Sequence, residues 1–388
     1  MRNFLNDRVK SIKPSGIRRF FDIANEIEGV ISLGVGEPDF DTPWHVREEA
    51  IQSLQNGKTF YTANSGLIEL REEISKYIAR KNNGIQYDPK KEILVTVGGS
   101  EAIDLTLRAT LNPGDEVIYT EPCYVSYLPC IKLSDGVPVS IELQEKNNFR
   151  LTPEELESKI TNKTKVLILS YPNNPTGAIM TKSDIEKIAE LVIKYDLLVL
   201  TDEIYSELSY SDEEHFSIIS VPGMKERTVY INGFSKSFAM TGWRLGYCAG
   251  PEYLMKELIK IHQFAIMAAP TTSQYAAISA LKYGEEDVKV MADSYNMRRN
   301  YLLAELKRLD IPCFTPYGAF YIFPNISKFG MSSEEFATKL VMEEKLAVVP
   351  GTAFGECGEG FIRISYAYSI DSLREAIKRL ENFIKKIN

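Results

Sequence analysis

Histidine is nearly missing from this chain: His45, His215 and His262 are the only three in 388 residues, and they stand far apart. A Ser-His-Asp triad or an H-E-x-x-H metal helix therefore has no support, which weakens most hydrolase readings. The five cysteines, Cys123, Cys130, Cys248, Cys313 and Cys357, are odd in number and scattered without any C-x-x-C pair, so neither a disulfide framework nor a metal site is expected. There is no basic excess. Lys and Arg number 45 against 53 Asp and Glu, a formal net charge of -8 with no basic arm to offset it, and nucleic acid is not an expected partner. No apolar run is long enough to span a membrane, so no membrane partner is expected. The first sixteen residues mix Arg2, Asp7, Arg8, Lys10 and Lys13 without the apolar segment of a signal peptide, which makes the cytoplasm the expected compartment. With 44% apolar and 25% charged residues, the composition excludes disorder and leaves an ordinary globular chain.

What the chain does have is alternation. From residue 92 onward short apolar runs alternate with stretches of three- and four-residue apolar spacing, the pattern of a mostly parallel sheet between helices. The runs Glu92 to Val97, Glu116 to Tyr119, Lys165 to Leu169, Leu197 to Leu200, Thr228 to Ile231 and Leu245 to Cys248 read as strands covered on both faces. Pro153 to Ile160 and Lys182 to Tyr195 read as amphipathic helices, and a long helical stretch from Thr272 to Arg308 leads away from them. Beyond it, Ala319 to Phe323, Leu346 to Val349 and Phe361 to Tyr368, with helices from Ser333 and Ser369, read as a smaller α+β part.

In open α/β sheets ligands sit beyond the carboxyl ends of the strands, so the residues found there carry functional information. The first run ends in Gly98-Gly99-Ser100 and then a helix, whose free amides and hydroxyl suit a phosphate. The second ends in Thr120 to Tyr124, which brings an aromatic ring to the same mouth, and the third in the rigid turn Asn174-Pro175-Thr176-Gly177. Asp202 closes a fully apolar strand, a costly place for a carboxylate unless it meets a cation or a protonated ligand nitrogen, whereas Glu203 points the other way along the pleat and reads as structural. Lys236 follows Thr228 to Ile231 in Phe234-Ser235-Lys236-Ser237-Phe238, an apolar setting that suits an amine made nucleophilic by burial, and Arg244 stands eight residues on. Arg363, inside the apolar Phe361 to Ser365, calls for an anion, either a ligand carboxylate or a distant Glu. A phosphate turn, an aromatic face, an amide, an aspartate, a tyrosine, a lysine and an arginine together describe a pyridoxal phosphate (PLP) site.

With these residues the chain resembles the class I aminotransferases of PLP fold type I, in the branch that holds aspartate, aromatic and N-acetyl-diaminopimelate enzymes. The resemblance runs over the whole length through Gly34 to Phe40, Tyr61-Thr62 with Gly66 and Glu69 to Arg71, the Gly98 turn, Asn174 to Gly177, Asp202 to Tyr205, Ser235-Lys236 through Gly242-Trp243-Arg244, and Arg363. It implies a large PLP-binding domain over 45–285 with a mostly parallel seven-stranded sheet, and a smaller α+β domain made of 1–44 and 286–388. It further implies that Lys236 carries the cofactor as a Schiff base and then moves the substrate proton. Asp202 would keep the ring nitrogen protonated, Asn174 and Tyr205 would bond the ring hydroxyl, and Tyr124 would stack on the ring. Gly99, Ser100, Ser235 and Arg244 would hold the phosphate, joined by Tyr61 of a second subunit, and Arg363 with Gly36 and Asn174 would hold the substrate carboxylate. A homodimer with shared active sites follows, acting on an amino acid and a 2-oxoacid, 2-oxoglutarate foremost.

Relatives devoted to aspartate often place a lysine at the Ser100 position, or a second arginine from the partner chain, to bind a distal carboxylate, and no equivalent stands out in this chain. Thr201 to Leu208 and Ile326 to Met331 look more like the N-acetyl-diaminopimelate branch, while Gly233 to Tyr247 is shared by aromatic and aspartate enzymes. A β-eliminating C-S lyase would need nearly the same site. A PLP-binding regulator would carry a DNA-binding segment before the aminotransferase-like part, for which the N-terminal stretch is too short and not basic enough, and an NAD-dependent dehydrogenase would need the G-x-G-x-x-G fingerprint, which is missing.

Overall fold

The computed structural model describes residues 2, 4–14, 16 and 27–387. Part of the expected 1–44 segment thus lies outside the described residues. Twelve strands are described: β1 (Ile31–Ser32), β2 (Ile93–Thr96), β3 (Glu116–Glu121), β4 (Val137–Glu142), β5 (Thr164–Ser170), β6 (Leu198–Asp202), β7 (Thr228–Gly233), β8 (Gly246–Ala249), β9 (Tyr321–Ile322), β10 (Leu346–Ala347), β11 (Val349–Pro350) and β12 (Ile362–Ser365). Seven of them form one sheet in the order β2-β8-β7-β6-β5-β3-β4. Only β8 runs against its neighbours. The expected mostly parallel α/β sheet is therefore observed. Strands β2, β5, β6 and β7 are buried at nearly every position, as continuous apolar runs require when helices cover both faces.

No apolar run marked the seventh strand. β4 reads Val-Pro-Val-Ser-Ile-Glu, lies at the sheet edge and buries only Ile141 fully. The other edge strand, β2, is buried at every position and keeps an apolar run, whereas β4 is open along most of its length and so tolerates proline and polar residues.

Helices form where caps and spacing favour them. Lys182–Lys194 begins with a reciprocal cap: the Asp184 amide donates to Thr181 Oγ1 at 3.2 Å and the Thr181 amide to Asp184 Oδ2 at 2.9 Å. It then buries Ile185, Ile188, Ala189 and Val192 on one face. The closing helix Ile370–Ile387 buries Leu373, Ala376, Ile377, Leu380, Phe383 and Ile384 on the same principle.

The stretch expected as one helix over Thr272 to Arg308 is two, Thr271–Tyr283 and Glu285–Arg308, parted at Gly284. A side chain at Gly284 would meet the Ala280 carbonyl at 2.7 Å and the Phe238 ring at 3.0 Å. Glu285, Glu286 and Asp287 then open the second helix, where acidic residues favour an N-terminus.

The expected single strand over Leu346 to Val349 also divides. β10 pairs in parallel with β1, while β11 joins β12 and β9 in a three-stranded antiparallel sheet. These small sheets and the helices Ser333–Glu344 and Ile370–Ile387 enclose their own apolar core, with Phe320, Phe336, Leu340, Ile362, Leu380 and Phe383 buried. Among the described residues no helix is long and apolar enough to cross a membrane.

Candidate active site

Five loops leave the carboxyl ends of β2, β3, β5, β6 and β7 and meet the β1 to Glu37 segment and β12 around one cavity of about 320 Å³. Gly36, Gly99, Ser100, Tyr124, Asn174, Asp202, Tyr205, Ser235, Lys236, Arg244 and Arg363 all line it. Tyr61 does not; its side chain is 83% exposed on the surface of its own chain. Ile326 to Met331, whose likeness pointed toward one donor class, takes no part in the lining.

At the floor, β6 ends with Asp202 buried and facing the cavity. Its hydrogen bonds come from neutral donors, the Tyr127 phenol at 2.8 Å and the Ile204 amide at 3.3 Å. Burial raises the carboxyl's pKa above its ordinary value, and those two donors act against that rise. A buried carboxylate with neutral donors and an open cavity before it suits a ligand N–H⁺. Glu203, one residue on, lies on the opposite face. It accepts from Ser217 Oγ at 2.5 Å and Thr201 Oγ1 at 3.0 Å and pairs with His215 Nε2 at 2.7 Å.

Lys236 sits in the turn after β7, partly open to the cavity. Its Nζ donates to the Gly36 carbonyl at 2.5 Å and lies over the Tyr205 and Phe320 rings at 5.9 and 5.8 Å. Loss of hydration pulls its pKa down to about 8, with Glu37 opposing the fall and Arg363 and Arg244 adding to it. An amine so poised is a free base at mildly alkaline pH and a competent nucleophile.

Across the cavity Arg363, on β12, is buried. Its Nη1 donates to Asn174 Oδ1 at 2.9 Å, its Nη2 to the Gly34 carbonyl, and its Nε has no partner among the described residues. The guanidinium rests on the rings of Tyr321 and Phe354, 4.4 and 4.7 Å from their centroids. Neither of its sequence neighbours neutralises it. Glu359 accepts from Ser333, and Asp371 pairs with Arg374. No ion pair to Arg363 is found among the described residues, which leaves its fork suited to a ligand carboxylate.

The turn before the helix Gly99–Thr110 completes the lining. Gly98 has φ +80°, and a side chain there would meet Arg244 Nη2 at 2.7 Å. The missing side chain lets a guanidinium lie beside the first amides of a helix, a cradle for a dianionic phosphate. Gly246 on β8 is equally constrained, since a side chain would strike the Gly98-Gly99 backbone at 2.6 Å. Ser100 Oγ stands 3.2 Å from the Tyr124 hydroxyl, and Ser235 is buried next to Lys236.

Sequence reasoning missed four contributors. Tyr127 and Ser170 stand behind Asp202, with their hydroxyls 2.8 Å apart. Tyr321 bonds the Tyr205 hydroxyl at 2.8 Å and fills the space beside Gly36 so closely that a side chain on Gly36 would lie 2.1 Å from its oxygen. Gly34 contributes a backbone carbonyl.

The donor set fits PLP: a phosphate cradle, a buried carboxylate for a ring nitrogen, and an amine of lowered pKa in the same cavity. Residues 28–380 match the family model for aminotransferase class I and II. The chain is 52% identical to the Bacillus subtilis protein YugH over the full length of both. It is 45% identical to aromatic-amino-acid aminotransferase 2 of Thermococcus litoralis over 98% of each chain. A solved aspartate aminotransferase of Thermus thermophilus, a single mutant, superposes with a TM-score of 0.93 at 39% identity, covering 98% of this chain and all of that one. The chain belongs to the class I and II aminotransferases, and it is an enzyme that transfers amino groups with pyridoxal phosphate as its cofactor.

Proposed function

We propose that the enzyme moves an amino group from an L-amino acid to a 2-oxoacid, 2-oxoglutarate foremost, in two half-reactions of a ping-pong cycle. The observation that carries this reading is the single cavity in which the Lys236 amine, the Asp202 carboxylate and the Arg363 guanidinium all converge. When bound, PLP supplies the carbonyl that captures the amine and the ring that draws off electrons. Arg363, steadied by Asn174 and with Gly36 alongside, holds the substrate α-carboxylate. Lys236, in the same cavity, would be the general base that moves the substrate's α-proton. Asp202 would hold the proton of the ring nitrogen, Asn174 and Tyr205 would bond the ring hydroxyl, and Tyr124 would cover the ring face. Gly99, Ser100, Ser235 and Arg244 take the phosphate.

The proposal includes a homodimer in which Tyr61 reaches the phosphate of a second copy. Phe60, Tyr61, Phe264, Ile266 and Met267 are exposed apolar side chains, and two hydrogen bonds knit their segments together, Thr271 Oγ1 to the Phe60 carbonyl and Asn64 Nδ2 to the Met267 carbonyl. The two-domain division at 45–285 is supported by the seven-stranded sheet, which lies wholly between residues 93 and 249, and by the helix break at Gly284. A cytoplasmic setting agrees with five cysteines that are all free.

Lys236→Ala is the decisive variant. Loss of both half-reactions, followed by the colour change of the bound cofactor, is expected, and a protein that still completed full transamination would sink the reading. Parallel lines in initial-rate plots with 2-oxoglutarate test the ping-pong order. A panel of aspartate, aromatic and N-acetyl-diaminopimelate donors then fixes the substrate.

A further inference from the structure

The Asp202 carboxylate does not face the cavity alone. The Tyr127 phenol lies 2.8 Å from Asp202 Oδ2 and 2.8 Å from Ser170 Oγ, and all three side chains are buried. An ionised carboxylate only accepts, so the single phenolic proton goes to Asp202 and the phenol's lone pair receives the Ser170 hydroxyl. The result is a one-way chain, Ser170 to Tyr127 to Asp202. The Tyr127 ring is fixed at the start of the helix Tyr127–Leu133, edge-on to Tyr124 with ring centroids 5.7 Å apart. Burial and the neighbouring Asp202 push the phenol's pKa well up, so it stays protonated and remains a donor at any working pH.

We infer that Tyr127, backed by Ser170, is a positioning residue that acts through Asp202 to keep the cofactor's ring proton on nitrogen rather than on the carboxylate. The inference rests on the role proposed above for Asp202. A carboxylate in so dry a place becomes a stronger base, and a stronger base competes with the ring nitrogen for the one proton between them. If the proton crosses to oxygen, the ring loses the positive charge that makes it draw electrons. A hydrogen bond donated to the carboxylate lowers its basicity and tips the balance back. Ile204 supplies one such donor through its amide, at 3.3 Å, and Tyr127 the other at 2.8 Å. The phenol gives the shorter bond and is the one a single substitution can remove.

The test uses holoenzyme loaded with pyridoxal phosphate labelled with ¹⁵N in the ring, whose chemical shift separates protonated from neutral nitrogen. In the unaltered protein the protonated signal is expected. Tyr127→Phe keeps the ring and removes the hydroxyl, and should move the signal toward the neutral position while weakening cofactor binding about ten-fold or more. Ser170→Ala leaves the phenol in place and should move the signal the same way by less. A purely space-filling role for Tyr127 predicts identical signals in the unaltered and Tyr127→Phe proteins, and that result overturns the inference. Should Tyr127→Phe fail to take up cofactor, Ser170→Ala decides, because an unmoved signal there is equally fatal. A neutral nitrogen in the unaltered protein would instead remove the proposed role of Asp202 itself, and this inference with it.

Discussion

Asp202 and Glu203 are consecutive carboxylates, both buried and both at the end of β6, yet they have opposite surroundings. Glu203 is satisfied within the protein by Thr201, His215 and Ser217. Asp202 receives two neutral hydrogen bonds and faces a cavity. The pleat alone sends them to opposite faces, and the difference in partners then separates a structural carboxylate from one kept ready for a ligand. The difference shows that burial does not mark function. What marks it is charge that the fold leaves without a counter-charge while pointing it into open space.

The strongest test of that contrast replaces each residue in turn. Asp202→Ala should lower kcat by roughly 10²–10⁴-fold with little loss of folding stability. Glu203→Ala should do the reverse, removing roughly 3 kcal/mol of stability in denaturant unfolding while folded protein keeps most of its turnover. If both variants lose rate alike, the contrast fails. Arg363→Lys comes next. It keeps the charge but not the fork, and a rise of about 10²-fold in KM for the amino acid donor, with cofactor binding unchanged, is expected.

The smallest effect concerns Lys236 in apoenzyme. Its pKa of about 8 in the fold lies below the ordinary 10.5 of a solvated lysine. Between those two pH values the unfolded chain still binds a proton that the folded chain has released, so this group's contribution to stability rises with pH across that window. Below pH 8 the buried charge is a full burden. Lys236→Met should therefore stabilise apoenzyme at pH 7 by at most about 3 kcal/mol, a gain that shrinks to nothing by pH 10.5. Unfolding curves at pH 7, 9 and 10.5 check it, and a gain independent of pH would count against the amine being desolvated.

The sequence makes some of this legible and hides the rest for physical reasons. Central strands such as β5 and β6 announce themselves because burial on both faces demands unbroken apolar runs, and the polar residues that end them stand out against that background. Asp202 and Lys236 are conspicuous for this reason. β4 is hidden because it is mostly open to solvent and carries Pro138, unlike the buried edge strand β2. The break at Gly284 is hidden because apolar spacing continues across it, and one of the two groups that crowd the glycine is Phe238, 46 residues earlier in the chain. Tyr127 and Tyr321 are two tyrosines among 21, and nothing local distinguishes a phenol that meets Asp202 or Tyr205 through space. Gly34 acts through its carbonyl, which no side-chain reading registers.

The division of Leu346 to Pro350 between two sheets has a mechanical side. β10 grips β1, the Leu33 amide donates to the Ala347 carbonyl at 2.9 Å, and the Ser365 amide donates to the Leu33 carbonyl at 2.8 Å. Gly34 and Gly36 hang directly from that strand, while Arg363 sits two residues before Ser365 on β12. The carbonyl that restrains Lys236 and the guanidinium across the cavity are therefore bolted to a single jaw. Any swing of that jaw releases the amine and withdraws the guanidinium in one stroke.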